Sequence, residues 1–265
     1  MAIGWVNFYK LRLKNIFSII LISLILFSCR ESINKEKIKI FVSWQGGEGL
    51  PHYIWHKNKD KPEGIEPELI ERILEIANLD YEYIKDYDAE NVGDPRIESI
   101  VNGKADISIR GITINEERKQ KVLFSTSYYT DGLSALVREN SGINSLEDLN
   151  GKNIYALKFT TAYNWVKQNI PECNLITYEK FDTAFIEPQS LLLTGKIDAY
   201  VIDYTFLKYI QKSNPTLRVL ETKFTEEKIG IAVSKSKPVL LKKINKAISI
   251  LEKSGEMKKL IVDFE

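Results

Sequence analysis

The chain has 265 residues, 44% of them hydrophobic and 28% charged, an ordinary globular mixture large enough for one domain or two medium lobes. Lys and Arg number 37 against 36 Asp and Glu, a formal net charge of +1. That balance excludes the basic surplus with which nucleic-acid binders neutralise phosphates, and no Lys/Arg run in the body replaces it.

The first segment stands apart. Lys10, Arg12 and Lys14 precede an apolar run from Ile16 to Phe27. A basic stretch, a short apolar stretch and a small residue make an export signal. The run falls short of the about 20 residues that a membrane span needs. It ends in Leu26-Phe27-Ser28-Cys29, which resembles the lipobox of bacterial lipoproteins, with Phe27 bulkier than the usual occupant. The resemblance implies a signal peptide over 1–28, a lipid on Cys29 and a polar tether over 29–35. The alternative is an uncleaved anchor helix with an incidental Cys; either way the body is expected outside the cytoplasm. Cys173 is then alone, so no internal disulfide is available.

Along the body, strand-like and helix-like segments alternate. Ile38 to Val42 reads as a buried strand. Pro67 to Leu79 reads as a helix, with Leu69, Ile70, Ile73, Leu74 and Ala77 at helical spacing and Pro67 in the first turn. Tyr81 to Ile84 is the next strand. Asp94-Pro95 starts a helix that Gly103 stops, and Ala105 to Ile109 is a strand. A second round begins near residue 140. It has a short helix from Ser145, as its cap, to Asn150, a strand from Asn153 to Leu157, a helix from Thr161 to Gln168 and a strand from Leu175 to Tyr178. Pro188 starts a helix ending at Gly195, Ala199 to Ile202 is a strand, and Pro238 to Val262 is amphipathic helix interrupted near Gly255.

The two rounds echo each other. Pro95 through Gly103-Lys104-Ala105-Asp106 leads into one strand, and Pro188 through Gly195-Lys196-Ile197-Asp198 into another. These strands end at Gly111 and at Asp203. The pattern predicts an α/β protein of two similar lobes, each with a mostly parallel sheet covered by helices. Ligands of open α/β sheets sit beyond the carboxyl ends of strands, so two such edges face to face make a cleft.

The segment Arg110-Gly111-Ile112-Thr113-Ile114-Asn115-Glu116-Glu117-Arg118 has the parts of a carboxylate site. Gly111 permits close backbone approach, Asn115 can cap a helical turn, and a guanidinium stands beside a hydroxyl and free N–H groups. The plainer alternative is a surface Arg118 paired with Glu117 or another acid. Asp203 could equally cap a helix from Tyr204 to Gln211. His52 and His56, four apart, would share a helix face. No Cys accompanies them and only Glu48 and Glu66 are nearby acids, so no metal site is expected.

These stretches together resemble the bacterial extracellular solute-binding proteins of family 3, the polar amino-acid receptors of ABC importers. Gly64-Ile65-Glu66-Pro67-Glu68-Leu69, Gly103 to Asp106 with Gly111-Ile112-Thr113 and Glu117-Arg118, and Phe124-Ser125 with Tyr128-Tyr129 carry the likeness in the first half. Leu146 to Lys152, Gly195 to Ala199 with Asp203, and Ile229-Gly230-Ile231-Ala232 carry it in the second. The resemblance implies a two-lobed periplasmic-binding-protein fold of type II with two hinge crossovers. Lobe one would hold 36–127 and 229–265 and lobe two 132–225, with hinges near 128–132 and 225–229. It implies that Arg118 takes a ligand carboxylate with help from Gly111 and Thr113, that Asp203 takes an ammonium, and that Leu157, Thr160 and Thr161 touch the carboxylate end. The expected protein is a monomer in the cell envelope, anchored by lipid, serving an ABC permease, without cofactor or catalytic residue. The alternatives are a sensory receptor subunit and a dehydratase-like enzyme, for which Glu66, Glu187 and Asp203 would be the candidate carboxylates.

Three positions depart from the family pattern. Gly49 stands where an aromatic usually stacks on the ligand, leaving Trp44, Tyr53 or Trp55 either to replace it or to be core. Phe159 stands where Gly is usual, and Arg110 where a small residue is common. Arg110 directly precedes Gly111, so it either pairs with an acid such as Glu48 or Glu66 or reads an anionic or hydrogen-bonding ligand side chain.

Overall fold

The computed structural model describes residues 37–43, 48–85, 93–177 and 187–261. The signal segment, Cys29 and Trp44 lie outside them. In chain order the first part contains β1 (Ile38–Phe41), β2 (Glu48–Gly49), β3 (Tyr53–Ile54), α1 (Ile65–Ile76), β4 (Tyr81–Tyr83), α2 (Pro95–Val101), β5 (Ile107–Ser108), α3 (Glu116–Lys119) and β6 (Leu123–Phe124). A crossover strand β7 (Tyr129–Asp131) follows. Then come β8 (Leu133–Arg138), β9 (Asn153–Tyr155), α4 (Thr161–Asn169), β10 (Asn174–Ile176), α5 (Glu187–Leu193), β11 (Ala199–Asp203), α6 (Tyr204–Ser213) and β12 (Leu217–Val219). The chain returns through β13 (Glu227–Ile229) to β14 (Ala232–Val233), α7 (Pro238–Ser254) and α8 (Glu256–Leu260).

Two five-stranded sheets result, ordered β4-β1-β5-β14-β6 and β10-β9-β11-β8-β12. In the first, β4, β1 and β5 are parallel and β14 runs antiparallel between β5 and β6. In the second, β10, β9 and β11 are parallel and β8 runs antiparallel to β11 and β12. The β7 and β13 crossovers pair with each other, Tyr129 opposite Ile229 and Asp131 opposite Glu227. This is the two-lobed α/β architecture that the sequence predicts.

Apolar helix stripes explain the packing. Leu69, Ile70, Ile73 and Leu74 of α1 meet Ile244, Ile248 and Leu251 of α7 on one face of the first sheet. Ile97 and Ile100 of α2 cover the other face with Phe41 and Ala232. In the second lobe, Leu191, Leu207 and Ile210 cover one face and Val166 and Ile170 the other. Asp94 caps α2 by accepting from Arg96 N at 3.1 Å, with Pro95 at the first helical position. Gly255, at φ 75, separates α7 from α8 in a left-handed turn.

Some local expectations shift. The first helix begins two residues earlier and ends three earlier, at Ile76, because the chain leaves the helix at Ala77 and turns left-handed at Asn78 (φ 51). Ser145 does not cap; Asp148 gathers the N–H groups of Asn144 and Ser145, and only the 3-10 turn Glu147–Leu149 forms. The antiparallel strands β8, β12 and β14 go unforeseen.

Candidate ligand-binding cleft

The carboxyl edge of the first sheet builds one wall. Beyond β5 the chain passes Ile109 and Arg110 to Gly111, whose φ of 54 suits glycine. Gly111 N donates to Glu66 Oε1 at 2.7 Å. Asn115 caps α3 by accepting from Arg118 N at 2.8 Å, which turns Arg118 inward to 8% exposure. Its guanidinium donates to Thr113 O at 3.0 Å and to Asp94 Oδ2 at 3.1 Å. Asp94 also holds Arg96 through Nε and Nη2, both at 2.8 Å. Arg96 Nη1 reaches the carbonyls of Arg110 and Gly111 at 3.3 and 3.4 Å. Burial raises the Asp94 carboxyl pKa, but Arg96 and Arg118 outweigh that and hold it below the ordinary value. Burial, with Arg96 nearby, pulls Arg118 below the usual arginine range.

The floor is aromatic and buried. Arg110 lies over the Tyr53 ring, 4.7 Å from its centroid. Gly49 is small because Tyr53 fills that place: a Cβ on Gly49 would stand 2.5 Å from Tyr53 Cε1. Tyr53, itself a buried core side chain, lines the cavity, whereas Trp55, equally buried, packs edge-on against Tyr83 and does not line it. Glu66, fully buried, accepts from Tyr128 Oη and lies 3.6 Å from His52 Nδ1. Burial lowers the His52 pKa, but the Glu66 carboxylate more than offsets this and leaves it raised. His52 lies in a turn before β3 and His56 beyond it, so the helical spacing fails. No group of three or more His, Cys, Asp or Glu side chains among the described residues is placed to hold a metal.

The second sheet supplies the opposite wall. Past β9, Leu157 leads to Phe159, which is left-handed at φ 66, and to Thr160. Thr160 caps α4 by accepting from Tyr163 N at 3.2 Å. Thr161 Oγ1 donates to Glu227 Oε2 at 3.0 Å, and Thr113 Oγ1 donates to the same oxygen at 2.6 Å. Asp203 ends β11 at the cap position of α6 but makes no capping bond. Asp131 does that work, accepting from Thr205 N at 3.1 Å. Asp203 is therefore released toward the cleft, its Oδ2 4.0 Å from where a Cβ on Gly111 would stand. Burial, then the Glu227 and Asp131 carboxylates, push its pKa up to about 7.

A cavity with about 600 Å³ of empty space, counting its open mouth, lies between these walls. Arg110, Gly111, Thr113, Arg118, Leu157, Thr160, Thr161 and Asp203 all line it. Sequence reasoning missed Arg96 and gave His52 only a metal role. The signal for Arg96 was its place in the first turn after Asp94-Pro95, where a side chain can fold back on its own cap. Glu187, the remaining carboxylate candidate, opens α5 and does not line the cavity.

Fold and cleft define a two-lobed solute receptor. The profile of the bacterial extracellular solute-binding proteins, family 3, matches residues 46–264, and the chain belongs to that family. The L-cystine-binding protein TcyJ of Escherichia coli K12 is 34% identical over 229 residues, 85% of this chain and 82% of that protein. An ancestral arginine-binding protein, in structures bound to arginine and to glutamine, is 29% identical with a TM-score of 0.73, over 86% of this chain and 97% of that one. The ancestral amino-acid-binding protein AncCDT-1, a precursor of cyclohexadienyl dehydratase, is 26% identical with a TM-score of 0.73, over 88% of this chain and 97% of that one.

Proposed function

We propose that this chain captures an amino acid or similar small zwitterion in the cleft and delivers it to an ABC importer. The observation that carries the reading is that Arg118 of one lobe and Asp203 of the other line the same cavity. A guanidinium on one wall and a carboxylate on the other match the two ends of a zwitterion. Arg118 takes the carboxylate with the amino end of α4 around Thr160 and Thr161. Asp203 takes the ammonium, and Gly111, Thr113 and Leu157 shape the space between. Thr113 and Thr161 each direct their single hydroxyl proton at Glu227, so in the empty protein neither hydroxyl is a donor toward a ligand carboxylate, and the backbone N–H groups at the start of α4 fill that role. Lobe one, 36–127 with 229–265, closes on lobe two, 132–225, by bending at the paired strands β7 and β13. Names of relatives support the ligand class: L-cystine for TcyJ, arginine and glutamine for the ancestral protein.

Calorimetry against the free amino acids tests the reading. Saturable binding that Arg118→Ala abolishes is expected; wild-type protein that binds no amino acid overturns it. The likeness to a dehydratase precursor motivates a second readout, recovery of the bound ligand. Unchanged ligand after prolonged incubation is expected of a receptor, and turnover would make it an enzyme. The lipid anchor on Cys29 is part of the proposal, resting on the Leu26 to Cys29 junction. Cys29→Ser should block processing or release the protein from membranes, and identical membrane-bound products would remove the anchor from the reading.

A further inference from the structure

We propose that the Glu227 carboxylate is a clasp that joins the two lobes at the hinge, so that closure is held by the protein's own bonds as well as by a ligand. This rests on the reading of two lobes that close about β7 and β13, and it holds whichever ligand is taken.

Each crossover carries a buried carboxylate, Asp131 on β7 and Glu227 on β13, with exposures of 3 and 7%. They stand opposite one another in the antiparallel ladder, where paired residues share a face. Asp131 is engaged by lobe two, accepting from Thr205 N at 3.1 Å and from Lys223 Nζ at 3.0 Å. Glu227 is shared between the lobes. Its Oε2 accepts from Thr113 Oγ1 of lobe one at 2.6 Å and from Thr161 Oγ1 of lobe two at 3.0 Å. Its Oε1 accepts from Thr225 Oγ1 at 3.3 Å. The crossovers touch at this point: a Cβ on Gly132 would stand 2.0 Å from Thr225 O.

Opening affects the two bridging threonines differently. Thr113 is stitched to β13: it forms a bridge with Ile229, Ile114 N donates to Lys228 O at 2.8 Å, and Gly230 N donates to Ile112 O at 3.0 Å. Its bond to Glu227 therefore stays with lobe one when the lobes part. Thr161 is the first residue of α4 and moves with lobe two. Opening breaks its bond to Glu227 and takes the anion away from the amino end of that helix, where negative charge is favoured. A hydrogen bond to an ionised group is among the stronger ones in a protein, so this one biases the lobes toward closure. Neither bond uses a ligand atom, and Glu227 is not among the residues that line the cavity.

Small-angle scattering of the whole protein, stripped of ligand by unfolding and refolding, tests the clasp. Glu227→Ala should move the closed-to-open ratio at least about tenfold toward open, seen as a larger radius of gyration. Glu227→Gln, whose side-chain oxygen still accepts from hydroxyls, should lie between wild type and Glu227→Ala. If Glu227→Ala does not fold, Thr161→Val decides, because it removes the lobe-two half of the clasp alone. Scattering identical to wild type in these folded variants overturns the proposal. Stopped-flow binding of L-arginine, L-glutamine and L-cystine gives a readout that simple damage to a lobe would not mimic. A protein that opens more readily admits and releases its ligand faster, so both rates should rise in Glu227→Ala. Slower association in the folded variant also overturns the proposal. If no amino acid binds the wild type yet Glu227→Ala expands, the clasp stands and the amino-acid reading falls. If amino acids bind and Glu227→Ala changes neither scattering nor rates, the amino-acid reading stands and the clasp falls.

Discussion

The two walls of the cleft are built in different ways. The first-lobe wall is a hydrogen-bonded mesh in which Asp94, Arg96 and Arg118 hold one another while Glu66 ties Gly111 to Tyr128. The second-lobe wall offers one carboxylate without a capping bond, a helix start, and a loop that turns through a left-handed Phe159. The meshed wall makes its hydrogen bonds before any ligand arrives, so losing one of its members costs the empty lobe as well as the site. A carboxylate that is buried and crowded by Glu227 and Asp131 is a liability to the empty protein, and on the proposed reading a ligand ammonium would give it a partner. Binding and stability should therefore be coupled on one wall and opposed on the other.

Arg118→Ala offers the sharpest break. It removes one of the two cations on Asp94, which keeps Arg96, and should cost about 1–3 kcal/mol of stability through the lost charged hydrogen bonds. Ligand affinity should fall by at least about thirtyfold in the same protein, as about 2–5 kcal/mol is lost when one side of a buried charge pair is truncated. Denaturant titration and calorimetry read the two effects; a stable, fully binding variant would remove Arg118 from the mesh and the site alike. Asp203→Asn should separate them. Affinity should drop by about 2–5 kcal/mol while the empty protein keeps or gains stability. Parallel losses of both would show that the second wall is meshed too.

The Asp203 carboxyl also sharpens the contrast through pH. Its folded pKa, up to about 7, lies above the ordinary 3.8, so the empty folded protein holds a proton that the unfolded chain has released between those values. Stability from this group is complete below the ordinary carboxyl range and is lost as pH rises toward 7. Binding an ammonium favours the ionised form, so affinity should move oppositely, weakening by up to about tenfold per unit below pH 7. Asp203→Asn should flatten both profiles; unaltered profiles in that variant would assign the proton to another group. The smallest effect is expected at Phe159, 39% exposed and at φ 66. Phe159→Gly should stabilise the empty protein by about 1 kcal/mol by relieving a left-handed residue, and a lower melting temperature would mean that its ring packs usefully.

What the sequence revealed follows the same division. Helix caps and parallel strands are local signals, and Asp94-Pro95, Asn115 and Thr160 sit at helix starts as their residue types suggest. Arg118 and Asp203 became legible through their motif, but neither alternative role could be dismissed from residue types. Only the structure shows Asp131, remote in sequence, capping α6 in place of Asp203. The strands β8 and β14 were opaque for another reason. Each is buried and antiparallel to neighbours far away in sequence, and a buried strand shows no alternation to betray it. Tyr53 was one of three aromatics that could have covered Gly49, and only close packing distinguishes it from Trp55.

The order β4-β1-β5-β14-β6 has a consequence in time. The strand between β5 and β6 comes from residues 232–233, long after both neighbours have been made. During synthesis or export, the second sheet has all its strands once residue 219 emerges, while the first still lacks an inner one. The lobe that begins the chain is thus the last to be finished. Until β14 arrives, the meshed arginines have a sheet with a gap beneath them. A chain cut short at residue 225 would keep a complete second lobe and hold Arg118 on an incomplete first one.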